Sequence, residues 1–226
     1  MIFSSINQNR LYLKVADQIL DLIKQKDFSK GDKLPSERIL SSELGVSRPT
    51  VREAMVALEL ADMIEIRTAS GIYLKHAATK SAKLLIDGGP GPFEILEARQ
   101  IFEREACALA AKRISDEQLD KLEALLDAML EENESLSPTE KADEEFHCEI
   151  AKASGNSAIY QTVMWLWQLR NESDLVSHFH KQTRMDGIRP IIEDHKKILD
   201  ALKARDTEKS RAAMDEHLHR VIESLL

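Results

Sequence analysis

The chain has 226 residues, 43% of them hydrophobic and 31% charged, with a formal net charge of −8, the make-up of a water-soluble globular protein with one large or two modest cores. No apolar run reaches the roughly 20 residues of a membrane span, and the amino end lacks a basic-then-apolar leader, so a cytoplasmic protein with no membrane partner is expected. The charge divides unevenly: residues 1–75 carry 11 Lys/Arg and 10 Asp/Glu, and the rest holds a net charge of −9, so the acidity excludes nothing for the first third.

In chain order, residues 10–26 (RLYLKVADQILDLIKQK) place Val15, Ile19, Leu22 and Ile23 on one face of a first helix. Phe28 and a Gly31-Asp32 turn follow. The stretch Leu34–Leu58, LPSERILSSELGVSRPTVREAMVAL, then reads as two short helices broken at Gly45-Val46-Ser47. Ser36 caps the first, and Gly45 supplies the left-handed residue that ends it. Ser47 caps the second, with Pro49 in its first turn, where a missing N–H does no harm. Val51, Ala54, Met55 and Leu58 form the apolar stripe of that helix and leave Arg48, Thr50 and Arg52 facing outward. Helix, tight turn and a second helix with a basic start form the helix-turn-helix arrangement, whose second helix enters a DNA major groove. Met63–Arg67 and Ile72–Leu74, around Thr68-Ala69-Ser70-Gly71, then make a β-hairpin placed as a wing.

These residues carry a resemblance. GDKLPSERILSSELGVSRPTVREAMVALE with the hairpin ending SGIYL resembles the winged-helix domain of GntR-family bacterial transcription regulators. The resemblance implies DNA contacts from Arg38, Arg48, Thr50 and Arg52, and a wing-tip glycine at Gly71. Ser47 beside Arg48, and Arg67 and Ser70 on the hairpin, complete the candidate DNA-contacting set. Ala69 departs from the family, many of whose members carry a second glycine there. Independently, arginine reads guanine because its fork bonds O6 and N7 together, and it also holds phosphates merely to position a helix.

Residues 76–92 read as a linker after a domain spanning 1–75, ending in Gly88-Gly89-Pro90-Gly91-Pro92. From Phe93 to the end every segment is helical in pattern. Helices are expected at about 93–113, 116–134, 139–153, 157–184, 188–204 and 207–225, a six-helix antiparallel bundle. Ser115 with Gln118 makes a capping box, Pro138 starts the third helix, and Asp206-Thr207 opens the last. The fold class is therefore mainly α, a winged helix-turn-helix joined to an all-helical domain. Cys107 and Cys148 lie in helical patterns without metal-like spacing and read as reduced thiols.

Asp143 and His147 are four residues apart and share a helix face, His195 lies in the fifth bundle helix, and His217 in the sixth. One carboxylate and three imidazoles suit Zn²⁺, Ni²⁺ or Mn²⁺ with positions left open, while lone helical histidines are commonly solvated or satisfied by one hydrogen bond. Arg99 and Glu103 in EARQIFEREACALAA, then DxxxH, SGN, DHKxIxxAL and MDEHL, resemble the FCD effector domain of the FadR subgroup of GntR regulators. That resemblance implies a divalent transition metal, zinc first, held by Asp143, His147, His195 and His217. His178 and His180 match no motif and read as surface residues.

GPFEILEARQIFE and NSAIYQTVMWLWQLRNES are most similar to hexuronate-operon repressors, which implies effector contacts from Arg99, with Gln168 and Arg170 as further candidates. Arg99 has a second reading, an ion pair to Glu103 at i+4. Trp165 and Trp167 read as packing residues. The whole reads as a homodimeric repressor on a near-palindromic double-stranded operator, released by a small carboxylate such as a hexuronate. Another carboxylate, or the metal itself, is the alternative signal. A metal-dependent enzyme on a DNA-binding head is disfavoured, because no unassigned general base or nucleophile accompanies the cluster.

Overall fold

The computed structural model describes residues 10–67, 70–76, 89–135 and 140–226. Most of the expected linker, the turn residues Thr68 and Ala69, and Pro138 lie outside the described residues. The chain forms two compact units, one of Met1–Phe93 with Ser173–Phe179 and Leu226, the other of Glu94–Glu172 with His180–Leu225. No helix among the described residues is long and apolar enough to cross a membrane.

In the first unit, α1 (Leu11–Gln25) packs against α3 (Arg48–Leu60), with α2 (Glu37–Leu44) between them in sequence. The buried face of α1 is Tyr12, Val15, Ala16, Ile19, Leu20 and Ile23. Leu22, expected on that face, is only half-buried and its place is taken by Leu20. Ser36 Oγ accepts from Ile39 N at 3.4 Å, and Gly45 closes α2 with φ +66°. Ser47 Oγ accepts from Thr50 N at 3.3 Å and sets the start of α3, a cap worth about 0.5–2 kcal/mol. Val51, Ala54, Met55 and Leu58 are all buried. Strands β1 (Ile64–Arg67) and β2 (Gly71–Leu74) pair antiparallel, Ile64 opposite Leu74 and Arg67 opposite Gly71. The Gly31–Leu34 turn lies along β2, with Leu34 N donating to Ile72 O at 2.9 Å.

The remaining helices are α4 (Pro92–Ala111), α5 (Asp116–Glu134), α6 (Lys141–Ala153), α7 (Ser157–Glu172), α8 (Asp174–Met185), α9 (Ile192–Lys203) and α10 (Thr207–Ser224); the second unit holds all of them except the first two residues of α4 and the part of α8 up to Phe179. One expected helix, 157–184, is two. The chain breaks at buried Ser173, which caps α8: its Oγ faces Val176 N, and its carbonyl accepts from Ser177 N at 2.9 Å. The fifth expected helix starts later, at Ile192, since Pro190 cannot donate to an intrahelical ladder. The Ser115–Gln118 capping box and the Asp206 cap of α10 are present. The core runs through α4, α5, α6, α9 and α10, with Leu122, Met129, Phe146, Ile198, Leu202 and Met214 among its buried members. A smaller cluster joins Ala106, Ala151, Val163 and Trp167, fixing α4, α6 and α7 together. Trp165, by contrast, is 53% exposed. Both cysteines are free thiols, Cys107 buried and Cys148 half-buried. Burial pushes both thiols upward, Cys148 to about 12.

Candidate functional site

On the first unit, Arg38, Ser47 and Arg48 are exposed, and Thr50 and Arg52 are partly so. Capping by Ser47 places Arg48, Thr50 and Arg52 in the first turns of α3. Ser47 and Thr50 also share a hydroxyl–hydroxyl bond of 2.8 Å. The Arg48 guanidinium donates to the main-chain oxygen of Leu226. Arg52 Nη1 donates to Glu37 at 3.0 Å, which holds its stem across the turn between the two helices. On the hairpin, Arg67 lies 4.4 Å from the Tyr73 ring centre and bonds Glu65 at 2.8 Å. Ser70 Oγ lies 2.8 Å from Tyr73 Oη, and Lys33 Nζ donates to Ser70 O at 2.6 Å. Gly71 has φ +123°, a conformation that favours glycine, and the Lys33 side chain lies against it, its Cε 2.5 Å from where a Cβ would stand.

In the second unit, Asp143 and His147 from α6, His195 from α9 and His217 from α10 each offer one ligand atom within 4.8 Å of the others. The three histidines are buried and the Asp143 side chain is 13% exposed. The rings stand close, His195–His217 at 4.4 Å, His147–His217 at 5.2 Å and His147–His195 at 5.4 Å between centroids. Asp143 Oδ1 is 2.8 Å from His195 Nε2 and 3.6 Å from His147 Nε2.

The outer ring nitrogens each face an oxygen. His195 Nδ1 is 2.9 Å from the Ile191 carbonyl. His147 Nδ1 is 2.5 Å from Glu103 Oε2, a close ion-pair approach that is out of line for a hydrogen bond. His217 Nδ1 is 3.7 Å from Asp194 Oδ2, too long for a hydrogen bond, and Arg220 holds the other Asp194 oxygen at 2.6 Å. Such outer partners orient metal-binding imidazoles and fix their tautomer.

The donors fit a divalent cation. His195 meets oxygen acceptors at both ring nitrogens, which calls for positive charge between ring and carboxylate. Neither nitrogen of buried His147 makes a hydrogen bond. Nitrogen and oxygen donors about 2.1 Å from a zinc ion stand roughly 3.4 Å apart in a tetrahedron, so closing this group takes small side-chain shifts. The electrostatics agree. Asp143 is held well below the usual carboxylate range: burial opposes ionisation, but the His147 ring beside it and the hydrogen bond and charge of His195 outweigh it. His217 is pushed down to about 3 by burial and then by the neighbouring His195, leaving a neutral imidazole able to ligate. For His147 burial again opposes charge, and Glu103 and Asp143 raise its pKa nonetheless.

A cleft lined by Asp143 and His217 is also lined by Arg99, Glu140, Arg170, His180, Thr183 and Arg189. Of the effector candidates, Arg99 lines it while bonding Glu103 at 2.7 Å and lying 3.7 Å over the Trp167 ring, so the i+4 ion pair is formed. Arg170 lines it too, 4.7 Å from the same ring, and bonds Glu140. Gln168 is exposed and is not a lining residue. Trp167 and Arg170 are three residues apart and share a helix face, whereas Gln168 is turned about 100° from Trp167.

His180 corrects the expectation of a surface residue. It lines the cleft with Nδ1 3.2 Å from Arg170, and burial, then Arg170 and Arg99, hold it well below its ordinary pKa. His178 is likewise only partly exposed and lies 3.4 Å from Glu59. Sequence reasoning also missed Glu140, Arg189, Asp194 and Arg220. Asp194, adjacent to His195, and Arg220, three residues after His217, were the findable ones.

Comparison with known proteins agrees with this anatomy. Residues 11–74 match the family of bacterial regulatory proteins of the gntR type, and residues 94–220 match the FCD domain. The Uxu operon transcriptional regulator of Escherichia coli K12 is 33% identical, over 99% of this chain and 90% of its own. The Uxu operon regulator of Haemophilus influenzae is 33% identical, over 94% and 81%. The Exu regulon transcriptional regulator of Escherichia coli K12 is 32% identical, over 92% and 82%. Among solved structures, Escherichia coli McbR/YncC shares the fold with a TM-score of 0.51 at 22% identity, over 96% of this chain and 97% of that one.

Proposed function

The chain belongs to the GntR family of bacterial transcription regulators and carries an FCD domain, and from that premise we propose that it is a cytoplasmic, homodimeric repressor of sugar-acid catabolism genes. Its relatives are regulators rather than enzymes. Two copies of α3 enter successive major grooves about one helical turn apart on a near-palindromic operator. Arg48, Thr50 and Arg52 read base edges there, Arg38 and Ser47 hold the backbone, and Arg67, Ser70 and Gly71 bring the wing to the DNA. Exposed Ile101 and Phe102 on α4 and Trp165 on α7 are the apolar surface offered to a second copy.

The observation that carries the sensing half is the convergence of Asp143, His147, His195 and His217 on one another, with Asp143 and His217 opening onto the cleft that Arg99 and Arg170 also line. Those four residues would hold a divalent cation, zinc first. When bound, the cation supplies a Lewis-acidic anchor for a carboxylate. Arg170 and Arg99 orient the rest of the ligand, and the Trp167 ring packs against both guanidiniums. The names of the relatives favour a hexuronate or a derived keto-acid such as fructuronate. A ligand binding one arrangement of the dimer more tightly than the other moves the population off the operator.

The test is a mobility-shift titration of the full-length protein on DNA upstream of its own gene and of the sugar-acid catabolism genes of its source genome, with and without glucuronate, galacturonate and fructuronate. Release by one of them, lost after chelation and restored by zinc, is expected. Binding that none of them alters removes the sugar-acid reading.

A further inference from the structure

The positive charges lining the cleft are unequally matched. Arg99 is balanced by Glu103 at 2.7 Å. Glu140 is shared, accepting from Arg170 through one oxygen and from Arg184 at 3.1 Å through the other. Arg189 meets no carboxylate among the described residues. Its Nη1 donates only to main-chain oxygens, those of Arg184 at 2.6 Å and Ile188 at 3.0 Å, and its Nε is buried without a hydrogen-bond partner. Those carbonyls fix the guanidinium plane while leaving its charge uncompensated. His180 adds no further positive charge, since burial and the Arg170 and Arg99 guanidiniums keep it neutral.

A fixed guanidinium that has lost part of its water and has no counter-ion is completed by an anion, and a carboxylate or phosphate matches its fork. We infer that Arg189, with Arg170, forms a second anion subsite in the cleft, and that the preferred effector is a sugar acid with an anionic group at each end. One carboxylate goes to the ligand-bearing Asp143 and histidine group, and the second carboxylate or a phosphate goes to Arg189. This rests on the sugar-acid reading above and narrows it: acids with a neutral tail bind, but as the weaker class. Glu140 sets the limit, because its carboxylate already occupies Arg170 and must be accommodated beside the incoming group.

The experiment is calorimetric titration of the zinc-loaded, full-length protein with three open-chain six-carbon acids differing only at C6: gluconate (hydroxyl), glucarate (carboxylate) and 6-phosphogluconate (phosphate). At least one of the two acids with an anionic C6 is expected to bind about tenfold tighter than gluconate, and which one does so distinguishes carboxylate from phosphate. Arg189→Ala should abolish that advantage while gluconate affinity stays within about threefold, and Arg189→Lys should retain part of it. Unchanged gluconate binding also shows that the variant is folded. If gluconate binds as tightly as glucarate and 6-phosphogluconate, or Arg189→Ala weakens all three equally, the second subsite is overturned and the sugar-acid reading stands. If none of the three binds and uronates do not either, both fall together.

Discussion

Glu103 Oε2 stands 2.5 Å from His147 Nδ1 while Oε1 of the same carboxylate accepts from Arg99 at 2.7 Å, so one buried acid joins a cleft-lining arginine to a member of the histidine group. Burial works against its charge, yet Arg99 and His147 hold its pKa down at about 2. Glu103→Gln keeps the shape and removes the charge. It should weaken divalent-metal affinity roughly 10–100-fold, the usual effect of losing such a partner. Competition with a chromogenic chelator reads this directly; an unchanged constant would mean that Glu103 serves only Arg99.

Stripping the metal should lower the melting temperature. An ion present at about 100 times its dissociation constant stabilises the folded form by about 2.7 kcal/mol. In a chain of this size that corresponds to roughly 5–10 °C. Differential scanning fluorimetry with chelator, then with zinc, nickel or manganese added back, gives the shift and ranks the ions. A flat response would leave the four residues as a hydrogen-bonded cluster.

Arg48→Ala should cost roughly 1–3 kcal/mol of operator binding and leave effector binding intact. Arg52→Ala should weaken DNA binding similarly but also loosen the helix-turn-helix, because its bond to Glu37 is lost; a partly exposed pair of this kind is worth about 0.2–1 kcal/mol. Mobility shifts on operator DNA, paired with thermal melts, separate the two effects. Unaltered operator affinity in Arg48→Ala would move the recognition surface elsewhere.

His180 gives a pH dependence with a defined sign. Its pKa in the folded protein lies well below the ordinary 6.5, so below about pH 6.5 the unfolded chain takes up a proton that the folded chain does not. Stability from this group is therefore fully present above that pH and declines as the pH falls toward the folded value. His180→Gln should flatten the decline in urea melts between about pH 6.5 and 5. Curves of equal slope for the two proteins would show that His180 titrates normally.

Much of this was legible in the sequence because it is local. Ser36, Gly45 and Ser47 punctuate the helix-turn-helix through caps that act over three residues, and the Asp143–His147 pair follows from one helical turn. Convergence of His195 and His217 on that pair was readable only through family resemblance, since spacing on one helix says nothing about which helices meet. The break at Ser173 went unseen because serine interrupts a helix only when its side chain turns back to cap the next one. His180 and Arg189 were invisible for a similar reason: a polar residue on a helix or in a loop reads as solvated until the fold supplies a cleft for it. Gln168 shows the converse, a candidate chosen by neighbourhood in sequence that helix geometry turns away from the cleft lining.

Neither Cys107 nor Cys148 can readily form the thiolate on which peroxide, disulfides and alkylating reagents act, since both are held far above neutral pH. These two thiols should therefore react slowly with oxidants and alkylating reagents, and they need not be removed before labelling. A cysteine placed at exposed Gln168 would be the preferred target for a maleimide dye, giving an optical reporter of ligand arrival on an otherwise silent background.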